Sequence, residues 1–426
     1  MTLRDKIESF CRDGLPIIPK NELVLLRNSF DDDEILQTIA SVIFDNKPNY
    51  PRKISIQNSF KADDMFFKLL AKDVKEYLKP KGQEGREVLE KFSDYRRPYS
   101  SHGLGIIDSP AHFNIISDYD MYEERMKCGS TFGPSPHETW TKHPDKMAKL
   151  FKYFYRSLSD GSVDVSTYIA SFRIGSYLAT QFKPPVAKCI YSMTNATKVL
   201  DTSCGWGDRL TGFYTTPNAK EYVGCDPNGN VWIKYIDMVR RYEKLLGSEP
   251  VIDIQDNVFR SVGHKTVTIY RSGAENIPWD EIDNVDVAFT SPPYYATERY
   301  GEGGDDEQDQ SWKKHDSYES WRDNFYLPVA QNSFDSLSEG GYLMTNILDP
   351  VVKGKRYRAG DDLIDTLEDH FIGQLGMRYS QRPKVTETKE DLTEFMQKCY
   401  IENVWCFRKG EERQPLFDTG LDAFWA

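Results

Sequence analysis

The sequence predicts an α/β protein: a doubly wound, mostly parallel sheet preceded by a mainly helical region. Three observations carry this. Short β-branched and aromatic runs alternate with helical patterns over roughly 240 residues. One early strand runs into the glycine turn Asp201-Thr202-Ser203-Cys204-Gly205-Trp206-Gly207, and the next ends on Asp226. A later strand, Val285 to Thr290, stops at Ser291-Pro292-Pro293-Tyr294, because neither proline has an N–H to continue a ladder and Ser291 is pushed into an extended conformation.

The chain has 426 residues, enough for two or three domains. We divide it into a mainly helical region 1–165 with a recognition or assembly role, an α/β domain 166–410 with inserts at 296–316 and 349–398, and a tail 411–426. Hydrophobic residues make up 39% and aromatics 13%, which suits packed cores and excludes a disordered chain. The formal charge of -12 argues against a polyanion binder driven by net charge, so any nucleic-acid contact needs a local basic face. Seven cysteines without a Cys-x-x-Cys pair read as reduced intracellular thiols, with no metal expected. His112, His137 and His143 have no ligand spacing and read as ordinary histidines. The charged start and the lack of a long apolar run predict a soluble intracellular protein without a membrane span.

Taken in order, Phe182-Lys183-Pro184-Pro185 leads into a helix over Val186 to Met193, prolines suiting its first turn. Lys198 to Asp201 is a strand, and Gly205 and Gly207 let the backbone approach a ligand ahead of a helix N-terminus. Taken alone, a Gly-x-Gly is equally a tight βα turn. The strand Glu221 to Cys225 narrows the choice, since Asp226 follows the glycines by about 20 residues, where a βαβ unit sets an acid against ribose hydroxyls. No third phosphate-facing glycine follows Gly207, which favours a nucleoside-type cofactor without a pyrophosphate. A helix Trp232 to Leu246, a third strand Lys265 to Tyr270 and a loop offering Glu275 and Asn276 to a base come next. The Val285 strand is the fourth. Its turn presents Ser291 and Tyr294 at a carboxyl strand end, where ligands bind in such sheets. The acidic stretch around Glu302, Asp305, Asp306 and Glu307 reads as a solvated loop rather than a metal site. Tyr318 to Leu337 has helical periodicity, Gly340 to Ile347 is a fifth strand, and Tyr400 to Phe407 is another.

Together these pieces resemble the S-adenosylmethionine-dependent amino-methyltransferases that modify exocyclic amines of bases in DNA. Ser291, Pro292, Pro293 and Tyr294 look like that family's catalytic tetrapeptide, in the serine form common among N4-cytosine enzymes. Asp201, Ser203, Gly205 and Gly207 resemble its cofactor loop, Asp226 its ribose-binding acid, and Glu275 and Asn276 its adenine-side loop. Phe182 and Pro184 match the segment over the methionine end of the cofactor. The resemblance spans about residues 170 to 410 and implies a Rossmann-like methyltransferase sheet, S-adenosyl-L-methionine as cofactor and DNA as partner. An exocyclic amine is a weak nucleophile, because its lone pair is delocalised into the ring. Hydrogen bonds to the Ser291 hydroxyl and the Pro292 carbonyl would return density to nitrogen, with Tyr294 stacked on a base taken out of the duplex and Tyr295 lining the pocket. The family usually carries a target-recognition domain after a core ordered this way, whereas this sequence ends at Ala426. Recognition then falls to 1–165, to 296–316 or to 349–398, where Lys353, Lys355, Arg356 and Arg358, then Arg378, Arg382 and Lys384, interleave with tyrosine. A solvated loop is the plainer reading of that segment. RNA or a protein amide as acceptor, and a non-catalytic binding protein of the same fold, are the competing functions.

Overall fold

The structure, a computed structural model, describes residues 1–74, 78–79, 104–108, 110–130, 133–153, 161–300, 302, 306–380 and 399–410. Asp305, Arg382, Lys384 and the tail 411–426 lie outside these residues, and the side chain of Arg378 is not described. The chain forms two compact units, Met1–Ser59 with Tyr122–Thr180, and Phe60–Met121 with Gln181–Ala426.

The second unit holds an eleven-stranded mixed sheet. Its strands in chain order are β1 (Leu78–Lys79), β2 (Leu104–Asp108), β3 (Lys198–Asp201), β4 (Glu221–Cys225), β5 (Val251–Gln255), β6 (Val258–Val262), β7 (Thr266–Tyr270), β8 (Val285–Thr290), β9 (Leu337–Asn346), β10 (Phe371–Ser380) and β11 (Cys399–Arg408). Across the sheet the order is β1-β2-β10-β11-β9-β8-β3-β4-β7-β6-β5. The five central strands β9, β8, β3, β4 and β7 are parallel, with antiparallel pairs on both flanks and β2 parallel to β10. The fold is therefore α/β and doubly wound, and the chain changes direction across the sheet between β3 and β8. Ligands bind outside the carboxyl ends of strands at such a switch point.

β8 shows why the centre is parallel. Val285, Val287, Ala288, Phe289 and Thr290 are all buried, the continuous burial of a strand covered on both faces. Asp286 accepts the Thr197 and Lys198 N–H groups at 2.7 and 2.8 Å, which holds β3 in register with β8. The helix Pro184–Met193 starts on its two prolines, as expected.

Other elements differ from the sequence reading. The helical stretch from Tyr318 is broken into Tyr318–Trp321, a π-helical turn Arg322–Tyr326 and Leu327–Asp335. Pro328 accounts for the break, because it cannot donate to the carbonyl four residues back. Phe371–Ser380, within the segment read as an insert, is a strand between β2 and β11. Its Gly373 and Gly376 dilute the β signal. The hairpin β5–β6 is a further element beyond the strands that the sequence predicts.

Residues 60–121 build part of this same unit. Lys188 donates to the Leu69, Leu70 and Lys72 carbonyls at 2.5, 2.9 and 2.9 Å, which caps the helix Ser59–Ala71. Arg241 reaches Asp63 at 3.2 Å and Asp120 at 2.6 Å. The first unit has its own helical core, in which Ile35, Ile39 and Ile43 of the helix Asp32–Asn46 cluster with Trp140, Phe151 and Tyr168. Among the described residues, no helix is long and apolar enough to cross a membrane.

Candidate functional site

The ends of β3, β4, β7, β8 and β9 supply the site. Gly205 (φ 56°) and Gly207 (φ 73°) sit in the left-handed region, which glycine enters without a Cβ clash. A side chain at Gly207 would also meet Met238 at 2.6 Å. The turn is braced from below. Asp201 is fully buried, and its carboxylate accepts from Arg209 Nε at 2.9 Å, the Tyr222 hydroxyl at 2.6 Å and the Ser203 N–H at 3.2 Å. Arg209 donates in addition to the Ser203 carbonyl. Burial opposes the Arg209 charge, but the Asp201 carboxylate outweighs it and holds the guanidinium pKa above its ordinary value. Asp201 thus shapes the turn from its buried side.

Asp226 follows β4. Its Oδ2 accepts the Gly205 N–H at 2.9 Å and lies 3.2 Å from the Tyr235 hydroxyl, while Oδ1 accepts the Asn228 N–H at 3.0 Å. Burial raises its pKa to about 6 against those hydrogen bonds. Glu275 and Asn276 lie on the 3₁₀ turn Ala274–Asn276 after β7. Asn276 is exposed. Glu275 receives Lys314 at 2.8 Å on Oε1, and its Oε2 is buried without a partner. A buried carboxylate oxygen lacking a donor fits a ligand that brings one. The glycine turn, Asp226 and Glu275 therefore suit a nucleoside with ribose hydroxyls and an exocyclic amine.

The acidic segment after β8 closes on the same strand ends. Asp306 accepts the Gly229 N–H at 2.8 Å and Arg271 at 2.6 Å. Tyr300 packs 5.9 Å from Trp206 of the glycine turn.

The Ser291 turn faces the glycine turn through a chain of hydroxyls. Thr202 donates to Thr290 at 3.0 Å, Thr290 and Ser203 are 2.7 Å apart, and Ser203 donates to the Ser291 carbonyl at 2.9 Å. Ser203 is thereby committed to joining the two turns. Phe182 packs edge-on against Phe289 at 5.5 Å, with the Arg209 guanidinium 5.3 Å from its ring centre. Pro184 is buried at N1 of the following helix. Pro292 is buried and Pro293 half-buried. The Ser291 and Tyr294 hydroxyls meet the Asn346 side-chain oxygen at 3.1 and 3.2 Å. Tyr295 adopts φ 51° and is 7% exposed. It packs among Tyr318, Trp321 and Tyr357, so it anchors the turn in the core. Positive φ on a bulky residue marks strain held by its surroundings.

The basic segment is a hairpin, Val351–Val352 with Lys355–Arg356. Lys355 and Arg356 are exposed, with Lys355 3.9 Å from Glu319, and Arg358 is half-buried 3.3 Å from Asp349. Lys355 lies 4.4 Å over the Tyr357 ring, which stacks on Tyr318 at 4.3 Å. Tyr318 and Tyr357 both contact Tyr295, so the hairpin adjoins the Ser291 turn. Cys204 and Cys225 are fully buried, and burial pushes both thiols well above their ordinary pKa. Sequence reasoning missed Arg209, Tyr222, Tyr235, Thr290 and Asn346. Of these, Thr290 and Asn346 carried a signal: polar residues at, or one residue before, the end of a predicted strand.

No family model matches the chain, and no curated protein matches it. Among solved structures it is similar to TehB from Haemophilus influenzae, with 13% identity over 54% of this chain and 64% of TehB at a TM-score of 0.32. It is similar to TrmN from Thermus thermophilus, with 15% identity over 55% of this chain and 50% of TrmN at 0.30. It is also similar to Trm1 from Pyrococcus horikoshii, solved with S-adenosyl-L-methionine, with 12% identity over 55% of this chain and 57% of that one at 0.32. Likeness this distant carries no argument about the chemistry of this chain.

Proposed function

We propose that this chain is an S-adenosylmethionine-dependent methyltransferase that modifies the exocyclic amine of cytosine (N4) or adenine (N6) in DNA. The observation that carries the reading is the Ser203 hydroxyl donating to the Ser291 carbonyl at 2.9 Å. It joins the nucleoside-suited turn to the Ser-Pro-Pro-Tyr turn at the switch point of the sheet. Asp226 would accept the ribose hydroxyls, Glu275 and Asn276 would serve the adenine side, and the Gly205 and Gly207 backbone would admit S-adenosylmethionine closely. When bound, that cofactor supplies a sulfonium-activated methyl group.

The remaining work falls to the chain. The Ser291 hydroxyl and the Pro292 carbonyl accept N–H bonds from the amine and draw density onto its nitrogen, a preorganised electrostatic effect. Tyr294 stacks on the extracted base. Lys355 and Arg356 contact phosphate, which gives an acidic protein the local basic face that nucleic acid requires. The high thiol pKa values of Cys204 and Cys225 fit a route without a cysteine nucleophile.

The test is incubation with methyl-labelled S-adenosylmethionine and mixed-sequence DNA or RNA, followed by digestion and nucleoside mass spectrometry. Labelled N4-methylcytosine or N6-methyladenine from DNA is expected. Label confined to RNA would move the acceptor, and cofactor binding without label in either polymer would favour a non-catalytic role.

A further inference from the structure

Asn346 ends β9 and is 1% exposed. Its Nδ2 donates to the Asn403 backbone carbonyl on β11 at 3.0 Å. That bond fixes which way the amide points, because a carbonyl can only accept. Oδ1 therefore faces the other way, 3.1 Å from Ser291 Oγ and 3.2 Å from the Tyr294 hydroxyl. The site is held from behind as well, since Gln374 donates to the Asn403 side-chain oxygen at 3.3 Å, with both residues buried.

An amide oxygen carries no proton, so each hydroxyl must be the donor in its bond to Asn346. Ser291 has a single hydroxyl proton, and it points at Asn346. The 3.5 Å between Ser291 Oγ and the Tyr294 hydroxyl is then a contact between two groups that both donate elsewhere. Toward a substrate, Ser291 Oγ has only lone pairs to offer. It can accept an N–H but cannot donate to a carbonyl oxygen.

We infer that Asn346 is a positioning and specificity residue: by taking the Ser291 proton it makes the serine an obligate acceptor, which selects amine-bearing bases against their carbonyl counterparts. This rests on the function proposed above. A site that hydrogen-bonds an amine rejects the analogue lacking it, because a buried polar group is left unpaired.

The experiment is a double-mutant cycle between Asn346→Leu and Ser291→Ala, repeated with Asn346→Ala, whose smaller side chain leaves room for water at the Asn403 carbonyl. Asn346→Asp serves as the conservative variant: taken up at this buried site as the neutral acid, it keeps a donor for the Asn403 carbonyl and an acceptor oxygen for Ser291. Each variant is followed by thermal melting, cofactor affinity, and kcat and KM for methyl transfer. The first substitution is expected to lower kcat by roughly 10- to 100-fold, less than the about 100- to 1000-fold of losing a hydrogen bond made directly to the reacting atoms because Asn346 acts through Ser291, with cofactor affinity unchanged. In the Ser291→Ala background the same substitution should cost less than about 3-fold, because the hydroxyl it orients is gone. Asn346→Asp should recover most of the rate.

Competition by oligonucleotides supplies the specificity readout: cytosine replaced by uracil, or adenine by hypoxanthine. The unmodified chain should discriminate against the carbonyl base, and Asn346→Leu and Asn346→Ala should lose that preference. Equal rate losses in both backgrounds, or unchanged discrimination, would overturn the inference while leaving the function standing. Failure of the unmodified chain to methylate any nucleic-acid amine would overturn both.

Discussion

Asp226 sits at the end of β4 with a carboxylate whose pKa burial raises to about 6. The native state therefore holds this proton more tightly than the unfolded chain does. Its contribution to stability is full below about pH 4 and is lost as pH rises through about 6. Cofactor binding runs the other way, since ribose hydroxyls need an ionised acceptor. Affinity for S-adenosylmethionine is expected to rise with pH through about 6 and then level off, and Asp226→Asn should remove that step; calorimetric titration from about pH 5 to about pH 8 checks both. Arg209 and Asp201 pose a different problem, because both side chains are buried, at 4% and 0% exposure. Arg209→Met strands the Asp201 carboxylate and is expected to cost about 3–5 kcal/mol in urea unfolding, part of which Asp201→Leu in the same chain should restore. If Arg209→Met left stability unchanged, the brace beneath the glycine turn would be dispensable.

Among the elements, the 351–356 hairpin separates two kinds of basic residue. Lys353 (φ 51°) and Gly354 (φ 80°) both take positive φ, the backbone of a two-residue I′ turn. The turn throws Lys355 and Arg356 into solvent, while the chain returning to the core places Arg358 against Asp349. Replacing Lys355 and Arg356 together by alanine should weaken DNA binding across all sequences and lower the salt slope by up to about 2, near 0.9 per phosphate contact. Arg358→Ala should instead lower the melting temperature, because it leaves a buried carboxylate unpaired. Fluorescence titrations at several salt concentrations and thermal melts distinguish the two. An unaltered salt slope in the double variant would remove the hairpin from the DNA interface.

For the whole molecule, the interleaving of the two units matters most. Residues 60–121 lie in the unit of the central sheet, where β2 pairs with β10 and the helix Ser59–Ala71 ends on Lys188. A fragment spanning 166–426 would leave the β10 edge unpaired and the Lys188 ammonium without its three carbonyls. Burial already lowers the Lys188 pKa to about 8. An open edge strand, and the Tyr242 ring uncovered by the loss of Phe66, which stacks on it at 5.1 Å, both favour association over folding. The fragment is expected to aggregate or to unfold without a cooperative urea transition, as read by size-exclusion chromatography and circular dichroism, whereas the full chain unfolds in cooperative steps. A monomeric, cooperatively folding fragment would show that 60–121 is an accessory.

The sequence by itself determined the α/β class, the central strands and the turns that punctuate them. Each rests on local chemistry: β-branched runs for Val285 to Thr290, glycines at positive φ for 205 and 207, and two prolines that end a strand. The tertiary structure alone decided which polar groups meet. Arg209 and Tyr222 reach Asp201 from 8 and 21 residues away, and Asn346 reaches Ser291 from 55. No short-range pattern encodes such pairings, because they depend on how the helix after the glycine turn folds back and on which parallel strands become neighbours. For the same reason Phe371–Ser380 reads as a strand only once β2 and β11 flank it. Its glycines weaken the local preference, and the hydrogen bonds that make it a strand come from segments far away in the chain.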